Sequence, residues 1–369
     1  MFQNKIYHNY FLEIFKTFFS VIISLTLIAL TVRAVNFLDL IVDNGYSISV
    51  YFKYILLNMF GIAPKFIPLS YLLAVIIFIL KHDANREFII LWTSGVKKVV
   101  LVNLLLFTSF IVVLIYLLFS TFLTPLALNK SRDMLGQSQF NSFLPTIRPN
   151  QFSDSFKGFT FFVEKKFNNE IQNIFLYDTG NYFKNLSSNN KNVDSTAIIA
   201  EKGIVEKKEL ILLDGRIISS KDSFENNEII KFDQLSIDLR KLKTTVITNP
   251  KLQETSTVNL LSCFSKKEEN KDICNEETKK EIIPLLIRRT LLPAYIPIFA
   301  LISAFLLLKH KNTFLNRAIV FISCFILLIF IELILKYTGS NIFLRSFYIF
   351  MPAFTISIIY PSLIYKFSK

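Results

Sequence analysis

The residues able to do chemistry in this chain are few, and their positions matter more than their number. There are three histidines: His8, His82 and His310. Each lies beside the edge of a long apolar run, and none falls in the polar block 125–287. That block therefore lacks what Ser–His hydrolysis or a His-ligated zinc requires. No G-x-x-x-x-G-K-[ST] phosphate loop occurs, and nine glycines in all leave no Gly-rich nucleotide cradle. The acids of 125–287 are scattered over strand edges and read as a solvated face. The chain is therefore not read as an enzyme, and no cofactor or metal is expected in it.

The charges that stand out lie in or beside apolar runs. Arg33 interrupts the first run, and Lys65 lies near the start of the second, in Ala63-PKFIPLS. Glu332 and Lys336 stand four residues apart in the fifth, where they either pair on one helix face or turn toward a cavity. Arg33 can snorkel to a membrane surface. Arg33 and Lys65 are both expected near the outer leaflet, and cations at one height suit an anionic amphiphile. Pro64, Pro68, Pro293 and Pro297 add bends able to shape a lateral opening. Cys263 and Cys274 both fall in the polar block, where a disulfide and two free thiols are alternative readings. Cys324 reads as apolar filling.

These residues hang on an unusually greasy frame. The chain has 369 residues, 52% hydrophobic, with mean hydropathy +0.45. Runs long enough to cross a hydrocarbon core occupy about 16–41, 54–80, 98–124, 288–308, 313–335 and 342–365. The first is too long for the apolar part of a signal peptide and no small-residue cleavage site follows it, so it is expected to remain as an anchor. Residues 125–287 carry 23 Lys and Arg against 22 Asp and Glu, leaving 18 basic and 6 acidic residues around the spans. Cations dispersed among apolar helices do not suit a nucleic acid; positive-inside topology and anionic lipid explain them better. Lys5, the segment 81–98, the turn 309–317 and the C-terminal Lys366 and Lys369 are expected on the cytoplasmic side, with both termini. Block 125–287 then lies outside.

The apolar residues of that block come in short β-rich runs: 159–165, 171–178, 196–207, 210–214, 216–219, 229–233 and 235–240. Asp214-Gly215 reads as a hairpin turn, and Asn/Ser-rich 185–192 as a loop. Such runs predict an antiparallel sandwich or jelly roll. Phe159, Phe161, Val163, Phe175 and Tyr177 alternate with polar residues and form either plain core or the lining of an acyl-chain slot. Residues 249–282 read as a polar, partly helical return linker.

Between the second and third spans lies a charged island, Leu80-KHDANREFIILWTSGVKK-Val99, holding the only Trp. It predicts a short amphipathic helix over about 83–96, with Asp83 as N-cap and Gly95 as terminator, and with Glu87 and Trp92 exposed.

Six spans split three and three, the inserted β domain and this island together resemble the LptF/LptG (YjgP/YjgQ) family of lipopolysaccharide-export permeases. The local matches are Arg86-EFIILWTSGVKKVVL and Ala63-PKFIPLSYLLAVI; Lys97 stands where the family has a small polar residue. The resemblance implies an α-helical membrane protein with six transmembrane helices (3+3) and an inserted all-β periplasmic jellyroll-like domain. It implies domains at 1–124, 125–287 and 288–369. It also implies a bacterial inner-membrane permease subunit of an ABC transporter that extracts lipopolysaccharide and passes it to a periplasmic bridge. The implied partners are a second LptF/LptG-type permease, an LptB-like ATPase dimer that uses the ATP, an LptC-like anchored jellyroll and an LptA-like bridge. ATPase coupling would fall to Glu87, Leu91, Trp92 and Gly95, and lipid contact to Arg33, Lys65 and Lys336. The end of the fifth span leans toward LptF and Lys65 after Pro64 toward LptG, with LptF favoured. A membrane-anchored receptor or sensor is the main rival reading, disfavoured by the lack of an output domain; a lipid-modifying membrane enzyme is the second.

Overall fold

The computed structural model describes residues 5–42, 46–139, 149–156, 158–167, 170–179, 195–206, 209–220, 228–238, 251–263, 274, 276–308 and 313–368. His310 and the loop expected at 185–192 lie outside the described residues. The chain divides into two compact units: 1–32, 57–129 and 250–369 form one, and 33–56 with 130–249 form the other.

The helices are α1 (Lys5–Asn36), α2 (Asp39–Val42), α3 (Ile48–Ala84), α4 (Glu87–Thr93), α5 (Lys98–Leu118), α6 (Thr124–Gln139), α7 (Thr257–Ser262), α8 (Glu276–Thr290), α9 (Ile296–Ala304), α10 (Thr313–Tyr337) and α11 (Ile342–Ser368). A π-helical turn, Phe119–Leu123, joins α5 to α6. Among the described residues, five stretches are long and apolar enough to cross a membrane: Lys5–Val42, Ile48–Ala84, Lys98–Leu135, Phe314–Tyr337 and Ile342–Phe367. The fourth expected span is broken instead, Thr278–Thr290 and Leu292–Leu307 meeting at 47°. The break has a local cause, because Pro293 has no N–H to give the Arg289 carbonyl. The helix core is built from buried faces of α1, α3, α5, α9, α10 and α11, with Tyr71, Phe78, Tyr295, Phe299 and Tyr348 among its largest members.

Polar groups inside this apolar core must find partners within it. The Tyr71 hydroxyl donates to the Leu105 carbonyl at 2.8 Å, and that of Tyr295 to the Tyr348 carbonyl at 2.8 Å. Pro64 leaves the Phe60 carbonyl without its i+4 donor, and the Thr124 hydroxyl supplies one at 2.8 Å. Pro284 frees the Lys280 carbonyl in the same way. Gly339 packs against that oxygen so closely that any Cβ there would collide with it.

The described residues of the second unit form an antiparallel sheet of six strands in the order β1-β2-β3-β4-β5-β6. They are β1 (Phe152–Phe156), β2 (Phe159–Phe167), β3 (Glu170–Asp178), β4 (Ser195–Glu206), β5 (Glu209–Ser220) and β6 (Glu228–Asp238). The inserted domain is thus antiparallel β as expected, with sequential neighbours in a meander. No Greek-key crossing occurs among the described strands.

A line of irregularity crosses four of these strands. In β3 the buried residues run Ile171, then Ile174 and Leu176; in β5 they run Leu210 and Leu212, then Ile217 and Ser219. Strict alternation would not produce either slip. The slips occur at Asn173 (φ 51°) and Asp214 (φ 52°), two residue types that tolerate the left-handed region. In β4 burial passes from Ala200 to Gly203 and Val205, and in β6 the packed residues pass from Phe232 to Leu235. Ile174 pairs with Ala200, Ala200 with Gly215 and Gly215 with Phe232, so the slips lie side by side. Each slip changes which alternate residues are buried while the strand registers and the buried face are kept. The apolar cluster accordingly includes residues from both sides of the line. Gly215 lies on it because a Cβ there would strike the Phe232 ring and the Ile199 carbonyl.

The line corrects two expectations. Asp214-Gly215 is not a turn but the middle of one continuous β5. Phe159, Phe161 and Val163 are buried, whereas the slip at Asn173 puts Ile174 and Leu176 inside and leaves Phe175 half-buried and Tyr177 exposed.

Candidate functional site

Two charged clusters occur in the helical unit. The first surrounds the elbow between α8 and α9. A cavity of about 70 Å³ is lined there by Gly61, Pro64, Lys65, Pro68, Tyr116, Ser120, Thr124, Leu128, Gln253, Arg288, Arg289 and Glu332, with further apolar residues. It has room for several waters or one compact polar group. Three elements bring the charge: α3 carries Lys65, α8 carries Arg288 and Arg289, and α10 carries Glu332. Arg288 pairs with Glu332 at 2.5 Å, and its own carbonyl accepts from the Tyr116 hydroxyl at 3.0 Å. Glu332 therefore meets α8 across the bundle rather than Lys336 on its own helix.

Arg289 is 3% exposed, and the groups its guanidinium meets are neutral. Its guanidinium donates to the carbonyls of Thr255 at 3.0 Å and Gln253 at 2.9 Å, and to the Thr257 hydroxyl at 3.1 Å. That hydroxyl in turn donates to the carbonyl of Thr121, inside the π turn, at 3.1 Å. An extra residue in a helical turn upsets its hydrogen bonding, which is how a π turn serves a neighbour. Arg289 thus fastens the segment 253–257 to the elbow. Sequence reasoning passed over Arg288 and Arg289; the signal was a basic doublet at the mouth of an apolar run.

The second cluster surrounds α4. The helix starts after Arg86, whose φ of 61° places it in the left-handed region, and no side chain caps it. Asp83 is not the N-cap: it belongs to α3 and pairs with Arg317 at 2.8 Å. The end is as expected. Gly95 N–H donates to the Trp92 carbonyl at 3.1 Å and Val96 N–H to the Leu91 carbonyl at 3.2 Å, a Schellman closure with Gly95 at φ 91°. Phe88 and Leu91 are buried in the bundle core. Trp92 is half-buried, stacked 5.9 Å from Phe88, with the Lys98 ammonium 4.7 Å over its ring. The exposed apolar residues of α4 are Ile89 and Ile90, at 44% and 67% exposure.

Glu87 is engaged within the chain. One carboxylate oxygen accepts from the Asn85 amide at 3.0 Å, and the other meets His82 Nδ1 at 2.5 Å. His82 Nε2 meets Glu13 of α1 at 2.9 Å, and Glu13 also pairs with Lys81. The Asn85 amide holds the Glu87 carboxyl below its ordinary value of 4.5; burial opposes it, and the His82 ring adds a smaller downward pull.

The remaining expected site residues are dispersed. Arg33 is exposed in the second unit, its guanidinium 5.9 Å over the Phe37 ring. Lys336 is exposed, 5.9 Å over the Tyr337 ring. Cys263 and Cys274 are joined by a disulfide with Cα atoms 5.4 Å apart. No group of three or more His, Cys, Asp and Glu able to hold a metal occurs among the described residues.

Comparison with known proteins agrees with this architecture. The sequence pattern of a family described as "Lipopolysaccharide export system permease LptF/LptG" matches residues 10–366. An uncharacterised protein of Rickettsia prowazekii (strain Madrid E) is 24% identical over 260 residues, covering 69% of this chain and 68% of that protein.

Proposed function

This chain belongs to the LptF/LptG family of lipopolysaccharide export permeases, and on that premise we propose that it pairs with a second family permease as the membrane part of an ABC transporter. The pair takes lipopolysaccharide from the inner membrane and passes it toward a periplasmic bridge. The observation that carries the substrate side is the elbow cavity, where Lys65, Arg288 and Arg289 stand with a single acid, Glu332. A cavity of that balance in an apolar bundle suits an anionic head group whose tails stay among the helices. Lys336 is proposed as a further lipid contact in the same unit, and Arg33 as a lipid contact of the second unit.

At the other cluster, α4 docks an LptB-like ATPase dimer, which binds and hydrolyses the ATP. Leu91 and Trp92 hold α4 on the bundle, Gly95 ends it, Ile89 and Ile90 face the partner, and Glu87 sets its angle. The termini and α4 lie in the cytoplasm under this reading, and the creased sheet lies in the periplasm, where it meets LptC-like and LptA-like proteins.

Purification tests the assignment. The full chain, expressed with its companion permease, is expected to retain a soluble ATPase, and Glu87→Ala to weaken that retention without loss of folded protein. Photocrosslinking from the elbow to lipopolysaccharide is expected to fall with Arg288→Glu. A chain that purifies with no ATPase, or crosslinking unchanged by the charge reversal, defeats the reading.

A further inference from the structure

His82 is 4% exposed, yet both of its ring nitrogens meet carboxylate oxygens. Nδ1 faces Glu87 at 2.5 Å and Nε2 faces Glu13 at 2.9 Å. A neutral imidazole has one N–H and donates to one of them; only the imidazolium donates to both. The ring is also caged, with centroid distances of 4.5 Å to Phe78, 4.9 Å to Tyr10 and 5.6 Å to Phe88. The cage fixes the ring plane, so each nitrogen is aimed at its own carboxylate.

The three residues come from three separate elements. Glu13 is on α1, His82 ends α3, and Glu87 opens α4. The groups facing the ring are Tyr10 and Glu13 from α1, its neighbour Lys81 through Glu13, and Glu87 from α4. Asp83, one residue on, is paired instead with Arg317 of α10. With His82 charged, Lys81 and His82 balance Glu13 and Glu87. With a neutral ring, one carboxylate would lose its histidine donor and keep only Lys81 or Asn85.

We propose that His82 is a positioning residue that joins α4 to α1 by meeting Glu87 and Glu13 at once, so that a displacement of α4 is carried to the first span. The transport consequence rests on the proposed docking of an ATPase at α4; the link itself does not.

Two measurements separate these. In the purified full chain alone, spin labels on Leu12→Cys and Ile90→Cys report the α1–α4 distance, both sites being exposed. The wild-type distance distribution is expected to be narrow, and both His82→Gln and Glu13→Gln to broaden it, the second although the histidine is intact. In the reconstituted transporter, lipopolysaccharide released per ATP falls about tenfold in His82→Gln, with the ATPase still bound. A narrow distribution in wild type and His82→Gln alike overturns the link. A proper link with unchanged release per ATP overturns its role in transmission. Failure of the wild type to hold an ATPase overturns the docking of α4 and with it the transmission, while the label distances still decide the link.

Discussion

Lys65 and Lys81 lie on one helix, about 24 Å apart at 1.5 Å per residue, and their surroundings treat charge in opposite ways. Around Lys81, cations and anions alternate: Lys81 with Glu13, Glu13 with His82, His82 with Glu87, and Asp83 with Arg317. Around Lys65, three basic side chains and one acid line a space with room in it. The first arrangement is a closed network that ties helices together. The second encloses a cavity, and it is there that an anionic head group is proposed to bind. The contrast shows why counting charges near a membrane span says little until their partners are known.

The largest test of this contrast removes Arg289, which stands with the cavity but acts as a brace. Arg289→Ala deletes three bonds from a buried cation and leaves two carbonyls without that donor, at a cost of about 3 kcal/mol; thermal unfolding in detergent reads it. An unchanged midpoint would move Arg289 from brace to pure ligand contact and sharpen the division further.

Next comes Lys65→Glu, which reverses a charge in the cavity. Lipopolysaccharide crosslinking at the elbow is expected to fall about tenfold, or about 1.4 kcal/mol, with the unfolding midpoint nearly unchanged because Lys65 is exposed. Equal crosslinking would break the comparison by making the elbow a second structural cluster.

Glu13→Gln does the reverse. It weakens the ties to Lys81 and His82 and is expected to cost about 1 kcal/mol of stability, with crosslinking at the elbow unaffected. A loss of crosslinking would show the two ends to be one site.

The smallest effect is in pH. Glu87 is held below 4.5 in the folded chain, so its contribution is complete above that value and is lost as pH falls through the lower folded value. Hydrogen exchange across α4 is expected to quicken only in that acidic range, and Glu87→Gln to lack that part of the change.

Much of this was legible in the residues. The five spans appear where apolar runs predict them, because a membrane core selects on length and hydropathy, which are local. The Gly95 terminator was legible for the same reason, since a left-handed C-terminal residue is a property of one position. The elbow was half legible: Pro293 marks it, but the apolar run 288–308 reads as one straight span. Trp92 was misplaced because an amphipathic count assigns a face without saying which face the bundle covers.

What the sequence determined by itself is the list of elements: the helices and their order, the antiparallel β insertion and the short helix after the second span. These follow from periodicities of hydropathy within one segment. Only the tertiary structure decided how the charges are shared. Arg288 meets Glu332 and Glu13 meets His82 across 44 and 69 residues of chain, and no local pattern encodes such a distance. The line of slips across the sheet was decided the same way. Asn173 and Asp214 each turn their backbone locally, but only pairing through Ala200 and Gly215 aligns those turns, so that four strands change together which alternate residues they bury.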